Sequence, residues 1–422
     1  MSDDLTPQDW DTARRVLQAV LRDPALAESQ PAFSTLVAGV NRLGRKHARQ
    51  QERLTRPPVP SSRDLPTCYI CKARYAQPHT SNPSLCPTCG AFNAEKRHGR
   101  TDLHGRVAVL TGGRVKIGYE TALKLLRDGA RVIVTTRFPQ DAARRYAQEP
   151  DVAAWQAQLT LYGLDLRDLH GVQRFIDHLN AHERHLDILI NNAAQTISRP
   201  AAFYAHLLAG ERHALPGTAG IQLRHPAPLA LLDNAQPTPD LSPYFPAGEL
   251  DADGQQLDLR SENSWSAQLA QVSTRELLEV QLVNAAAPFL LCAGLKSLLL
   301  ASPFERRFIV NVSAMEGQFT RRSKTDRHPH TNMAKAALNM LTRTSGPDLA
   351  GSSIYMTSVD TGWVTNENPH PKAERMAGLG FVPPLDVIDG ASRIYDPVVS
   401  GLNEAGKPLF GVFLKDYRPY PW

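Results

Sequence analysis

From Leu103 to the end of the chain, short β-branched runs alternate with helix-like stretches, and no other feature restricts the fold as much. The runs fall at 106–111, 130–136, 159–165, 186–191, 307–312, 354–359 and 409–414. Parallel strands need a long crossover, usually a helix, and helices on both faces leave the strands apolar throughout. The pattern predicts an α/β fold over residues 103–422: a doubly wound parallel sheet of about seven strands. One interval breaks the rhythm. Residues 195–271 hold Pro200, Pro216, Pro226, Pro228, Pro237, Pro239, Pro243 and Pro246 without sustained periodicity. An insert of that length inside a compact domain is usually functional or disordered.

The chain ahead of this alternation divides in two. Residues 1–57 read as a helical segment, with Thr6 as N-cap, Pro7 at the first helical position and an apolar stripe through Trp10, Ala13, Val16, Leu17, Val20 and Leu21. A second stripe, Phe33, Leu36, Val37, Val40 and Leu43, precedes a proline-rich linker. Residues 63–100 carry Cys68-Tyr69-Ile70-Cys71 and, fourteen residues later, Cys86-Pro87-Thr88-Cys89-Gly90. Two such knuckles supply four thiolates, enough to close a tetrahedral shell around structural Zn²⁺ with no open position. Iron in the same shell and a redox dithiol pair are the alternatives. Gly90 frees the turn after the last sulfur from a Cβ clash. The fifth cysteine, Cys292, reads as a buried small hydrophobe.

With 42% hydrophobic and 21% charged residues, the chain is no disordered tail, and five cysteines in 422 residues make no secreted disulfide framework. Met1-Ser2-Asp3-Asp4 does not resemble a signal peptide, and the apolar stretch 277–301 is interrupted by Glu279, Gln281, Asn284 and Lys296. The expectation is a soluble cytoplasmic protein with no membrane span. The net charge of +5 resides entirely in residues 1–105, with 15 Lys/Arg against 10 Asp/Glu. Six cations between Arg42 and Arg56 face only Glu52. Residues 42–56 would attract an acidic protein or nucleic acid, or form a solvated helix face; the lack of interleaved aromatics favours the latter.

Glycines after a first strand and before a helix suit a pyrophosphate, because backbone N–H groups and a helix N-terminus face the anion. Thr111-Gly112-Gly113-Arg114-Val115-Lys116-Ile117-Gly118 is such a loop. Together with Asp165 after the third strand, Asn191-Asn192-Ala193-Ala194 after the fourth, Asn284 and Lys335, it resembles the short-chain dehydrogenase/reductase family. The resemblance covers 103 to about 362 and implies a Rossmann-type fold, dependence on NAD(P)(H), a small-molecule substrate and assembly into dimers or tetramers. It assigns Thr111, Gly112, Ile117, Gly118, Asn192 and Lys335 to the cofactor and Asp165 to its adenine. It also matches Asn284 and Lys335 to two members of the catalytic tetrad, and Thr361, Gly362 and Val364 to the turn that meets the nicotinamide. The second strand ends in Arg137, where NAD-specific relatives carry an acid; a guanidinium there, joined by Arg114, favours NADP(H) over NAD(H).

The departures concern chemistry. Lys116 replaces the middle glycine of the loop, where its side chain should crowd the pyrophosphate unless its ammonium pairs with it. Ala314 stands at the tetrad serine, with Ser313 one residue early, and Thr331 stands at the tyrosine. A threonine hydroxyl is no usable acid near neutral pH. His328, seven residues before Lys335, could donate a proton instead, and Tyr204 of the insert could fold over the cofactor; equally, His328-Pro329-His330 is a polar start to a helix. Two readings follow. One is an NADP(H)-dependent oxidoreductase with an altered acid and a bulky substrate, suited to reducing an activated C=C or C=O. The other is a catalytically silent nucleotide sensor whose front end docks a partner.

Overall fold

The structure, a computed structural model, describes residues 6–23, 26, 37, 65–211, 221–224, 241–251, 253–321 and 323–422. Two compact units are present, Met1–Pro66 and Thr67–Trp422. In the first, helix α1 (Pro7–Arg22) begins as the sequence suggests: Pro7 occupies the first turn, and the backbone N–H of Thr6 donates to the Asp9 carboxylate at 2.8 Å. Val16, Leu17 and Leu21 of its apolar stripe are exposed. The second stripe, Val37 apart, and the basic run 42–56 lie outside the described residues.

The second unit contains both the cysteine module and the α/β layer. After helix α2 (Pro87–Arg97) the chain forms β1 (Val107–Thr111), α3 (Lys116–Arg127), β2 (Arg131–Thr136), α4 (Pro139–Ala147), β3 (Leu159–Gly163), α5 (Leu169–His182) and β4 (Ile188–Asn191). The insert contributes α6 (Ala205–Glu211) and β5 (Gln222–Arg224). Then come α7 (Thr274–Gln281), a π-helical turn (Leu282–Ala286), α8 (Ala287–Gly294), β6 (Arg307–Ser313), α9 (Pro329–Gly351), β7 (Ile354–Asp360), α10 (Val387–Asn403), β8 (Phe413–Lys415) and β9 (Arg418–Tyr420).

The sheet order is β5-β3-β2-β1-β4-β6-β7-β8-β9, parallel except for the last pair. A strand overlaps each of the seven expected runs, the last only at Phe413 and Leu414, because β8 is Phe413–Lys415. The sheet has nine because β5, three residues of the insert, pairs with β3, and β9 turns back antiparallel on β8. Successive residues of β1 enter opposite layers: Ala108 and Leu110 pack with α3 and α10, Val107 and Val109 with α5 and α8. The order reverses at β1, between β2 and β4, which places the ligand crevice of such a fold at the carboxyl ends of these strands. The run Thr274–Gly294 is long and apolar enough to cross a membrane by length and composition. Here Val280, Val283, Ala287 and Leu291 are buried, the last three among the side chains under the sheet.

Candidate cofactor and active site

The glycine loop is held by the end of β4. Thr111 Oγ1 accepts from the N–H groups of Asn192 (3.1 Å) and Ala193 (3.0 Å), while Asn192 Nδ2 donates to the carbonyls of Thr111 and Gly112, both at 3.0 Å. Gly112 has φ +74°, and a Cβ there would stand 2.9 Å from Ala193 Cα; a Cβ on Gly118 would stand 2.2 Å from the Gly112 oxygen. Neither position admits another residue. The first turn of α3 therefore points its free N–H groups at the loop, an anion site by construction. Lys116 opens this helix at φ +55°, the left-handed region glycine normally fills. Its ammonium turns to the insert and lies 3.5 Å from Asp253. Ile117 and Val364 approach the same spot on α10, each within 3.1 Å of where Gly390 would carry a Cβ, so the loop and the turn after β7 meet there.

At the carboxyl end of β2, Arg137 is not solvent-facing. Its guanidinium lies 4.6 Å above the Tyr204 ring and donates to the Tyr204 hydroxyl at 2.9 Å, and the Tyr204 ring packs on Phe138. Tyr204 thus covers the carboxyl end of β2. Arg114 does not join Arg137 as a free second cation. It is buried, pairs with Asp141 at 2.6 Å and donates to Gln255. Asp165 is buried and gripped by Arg167 at 2.6 Å; burial pushes its carboxyl up, but the guanidinium holds it below the ordinary range.

Next to the segment that follows β4, Asn284 sits in the π-helical turn, a distortion frequent at functional sites. Its side chain clasps the backbone of Gln195, accepting from N–H at 2.7 Å and donating to the carbonyl at 3.1 Å. Lys335 is buried and donates to the Val312 carbonyl at 2.7 Å. Burial pulls its ammonium down to about 8, with Glu316 alone opposing. Ser313 Oγ and Thr331 Oγ1 are buried without a protein partner, and Ala314 offers no hydroxyl. Thr331 and Lys335 stand one turn apart on α9, so their side chains share a face.

His328, which the sequence offers as an alternative proton donor, lies at the start of α9. It caps α9 in a left-handed conformation, φ +40°, its ring stacked on Trp265 of the insert at 4.0 Å. Burial lowers its pKa, against Glu316, so the ring is neutral near pH 7. His330, also buried, turns to Glu276 at 3.2 Å.

Sequence reasoning missed Glu316 and Gly317. A Cβ on Gly317 would fall 2.6 Å from the Lys335 carbonyl carbon, so only glycine lets this turn close against α9. The signal was present, a glycine four residues beyond Ser313, just after β6. Also missed was how the insert is fastened. It reaches the glycine loop through Asp253 and Gln255, α4 through Arg145 (which donates to the Asp253 carbonyl at 3.0 Å), the start of α9 through Trp265, and the loop after β7 through Asn263 and the Glu367 carbonyl (3.0 Å).

The four cysteine sulfurs lie within 4.8 Å of one another, with Cys71 and Cys86 3.8 Å apart. Four Zn–S bonds of about 2.3 Å in a tetrahedron give S···S edges of about 3.8 Å, so the donor set fits the ion. Gly90 is required for a reason other than a left-handed turn. It lies inside α2, and a Cβ would strike His79 Cγ at 2.2 Å.

The fold is that of a doubly wound α/β protein of the Rossmann type. Residues 106–206 match the family model described as short chain dehydrogenase. The chain is 33% identical over 352 residues to an uncharacterised protein of Acanthamoeba polyphaga mimivirus, covering 78% of this chain and 71% of that one. It belongs to the short-chain dehydrogenase/reductase family. Among named relatives, the WW domain-containing oxidoreductase of Drosophila melanogaster is 40% identical over 99 residues (23% of this chain, 24% of the relative). Mouse retinol dehydrogenase 11 is 38% identical over 91 residues (22% and 28%). The chain thus spans only about a quarter of these oxidoreductases. Among solved structures, NADPH-bound carbonyl reductase from chicken fatty liver covers 76% of this chain and all of its own, at 17% identity and TM-score 0.49.

Proposed function

We propose that the protein is an NADP(H)-dependent oxidoreductase with a non-standard active site, acting on a bulky small-molecule substrate. The observation that carries this reading is Lys335. It is a buried ammonium that donates to the carbonyl of Val312, the residue before Ser313, and it stands one helical turn from Thr331; both of those hydroxyls are buried without a partner among the described residues. Evolution of a purely structural lysine in such a place is costly, whereas ribose hydroxyls would satisfy all three groups. NADP(H), when bound, supplies the hydride. The glycine loop and α3 would hold its diphosphate, Arg137 with Tyr204 the 2′-phosphate, and Lys335 the nicotinamide ribose. NAD(H) would lose the charge-assisted contact to Arg137.

No phenol stands where Thr331 is, and His328 is neutral and stacked. Chemistry that needs a strong acid at the carbonyl oxygen is therefore disfavoured relative to reduction of an activated C=C, where protonation follows hydride transfer. The insert, fastened across the carboxyl edge of the sheet, would line the substrate space. The same missing acid supports a second reading, a silent NADP(H) sensor with a partner on its basic front end. The test is a screen of C=C and C=O substrates with NADPH after metabolite capture. Turnover of an activated alkene with slow ketone reduction supports the enzyme. Brisk oxidation of ordinary secondary alcohols overturns the reading of the tetrad, and cofactor binding without any turnover favours the sensor.

Exposed Leu278, Phe289, Met333 and Met340 on α7, α8 and α9 support a homodimer through these helices. The cytoplasm, where thiols stay reduced, suits the four free cysteines as ligands of structural Zn²⁺.

A further inference from the structure

Among the side chains that tie the cysteine module to the α/β layer, Tyr69 reaches the turn after β7. Tyr69 lies between Cys68 and Cys71, and its hydroxyl accepts the backbone N–H of Trp363 at 2.8 Å. Trp363 follows Gly362, whose φ of +79° makes the turn after β7. The opposite end of the same residue is also held: the Trp363 carbonyl accepts from Leu385 N–H at 3.3 Å, just after Pro384, whose carbonyl accepts from Asn82 of the module at 3.0 Å. Gly362 has no room to shift, since a Cβ there would stand 2.5 Å from Leu385 Cδ1 and 3.3 Å from the Tyr69 hydroxyl. On its other side the Tyr69 ring lies 5.6 Å from the Lys415 ammonium, which pairs with buried Asp360 at 3.4 Å, and Asp360 accepts from Met315 N–H at 3.1 Å. One ring therefore contacts the turn directly, and reaches through Lys415 and Asp360 the loop that carries Glu316 and Gly317.

The knuckle that positions Tyr69 cannot hold its own shape. Among the described residues its apolar cluster has just Cys68, Tyr75 and Leu85 buried, with Tyr69, Ile70, Cys86 and Cys89 packed against them, a small core to fix a loop. Cross-linking must come from the four sulfurs, and their spacing fits a metal ion. We infer that Tyr69 is a positioning residue for the cofactor, and that a Zn²⁺ ion in the Cys68, Cys71, Cys86 and Cys89 shell sets the turn on which the nicotinamide half rests. This rests on the NADP(H) reading above. Metal occupancy then governs the nicotinamide end of the crevice and leaves the adenosine end, held by Arg137, untouched.

The experiment titrates NADPH and 2′,5′-ADP, which lacks the nicotinamide half, into metal-loaded wild type, Tyr69→Phe and chelator-treated protein kept reduced. Metal content and circular dichroism are followed alongside. Tyr69→Phe should keep its metal and its 2′,5′-ADP affinity while losing NADPH affinity about threefold to tenfold, the size of one neutral hydrogen bond. Metal removal should cost NADPH tenfold or more, reversed by Zn²⁺, again with 2′,5′-ADP unchanged. Unchanged NADPH affinity in either case overturns the inference, as does purified protein without stoichiometric metal. Equal losses for both ligands would make the module a general stabiliser and overturn it too. If 2′,5′-ADP does not bind wild type at all, the cofactor reading itself falls and takes this inference with it.

Discussion

Burial of Lys335 leaves a thermodynamic trace that is readable without any substrate. Its ammonium is lowered from the ordinary 10.5 to about 8 because burial strips water from the charge. A tenfold change in proton affinity is worth about 1.4 kcal/mol, so the fold disfavours the charged form by roughly 3 kcal/mol. The sign follows from proton counting. Below about pH 8 the lysine is charged in both states; above 10.5 it is neutral in both. Between these limits the unfolded chain holds a proton that the folded chain has released, and stability contributed by this group rises with pH. In Lys335→Met the stem still fills its space and the Val312 carbonyl loses its donor at every pH. Urea unfolding of wild type and variant from pH 7 to 10.5 isolates the lysine, because tyrosines and cysteines titrating in the same window cancel. Wild type should gain about 3 kcal/mol on the variant across it. Parallel curves would refute the assignment of a poorly solvated ammonium, and with it the argument that the site awaits hydroxyl partners.

Arg137→Ala should cost NADPH about tenfold to hundredfold in affinity and leave NADH nearly unchanged, checked by titration of both; equal losses would mean the guanidinium serves only Tyr204. Asp253→Asn should tighten both cofactors about twofold to fivefold, because the half-exposed carboxylate competes with phosphate for Lys116, and calorimetry at low salt would show it. Gly317→Ala should destabilise by about 1–3 kcal/mol, since its new methyl group meets backbone at 2.6 Å; thermal unfolding measures this. His328→Ala and Trp265→Ala should alter turnover alike and not additively if the ring acts by stacking; a much larger loss for His328→Ala would restore it as the acid.

The strands were legible because a strand buried on both faces must be apolar throughout, and β1 and β6 are buried from end to end. The glycine loop was legible because Gly112 and Gly118 have no alternative. What was hidden depends on contacts with no local signature. Nothing near Lys116 announces Asp253, and nothing near Arg137 announces Tyr204, because the insert has no period to place it. Arg114 looked like a phosphate ligand since the sequence shows only its charge, not that Asp141 neutralises it. His328 looked available since spacing from Lys335 is visible and a stacked indole is not. β9 escaped notice because three residues containing a proline carry almost no strand signal, and Pro419 is tolerated only at such an edge.

The bonds between α2 and α10 have a consequence for how the chain is made. Asn93 donates to Asp389 at 2.8 Å across 296 residues of sequence, Arg97 reaches Asp386 and Asp389, and Lys96 meets Asp396 at 2.8 Å. The piece that leaves the ribosome early finds its seat only when the last helix has been synthesised. At 5–20 residues per second that interval lasts about 15–60 seconds. During it the cysteine knuckles have no docking surface, and their shape must depend on whatever the sulfurs hold. If the sulfurs hold a metal ion, a nascent chain short of it would reach completion with a misfolded front and an intact sheet, and metal supply during translation would limit the yield of properly assembled protein.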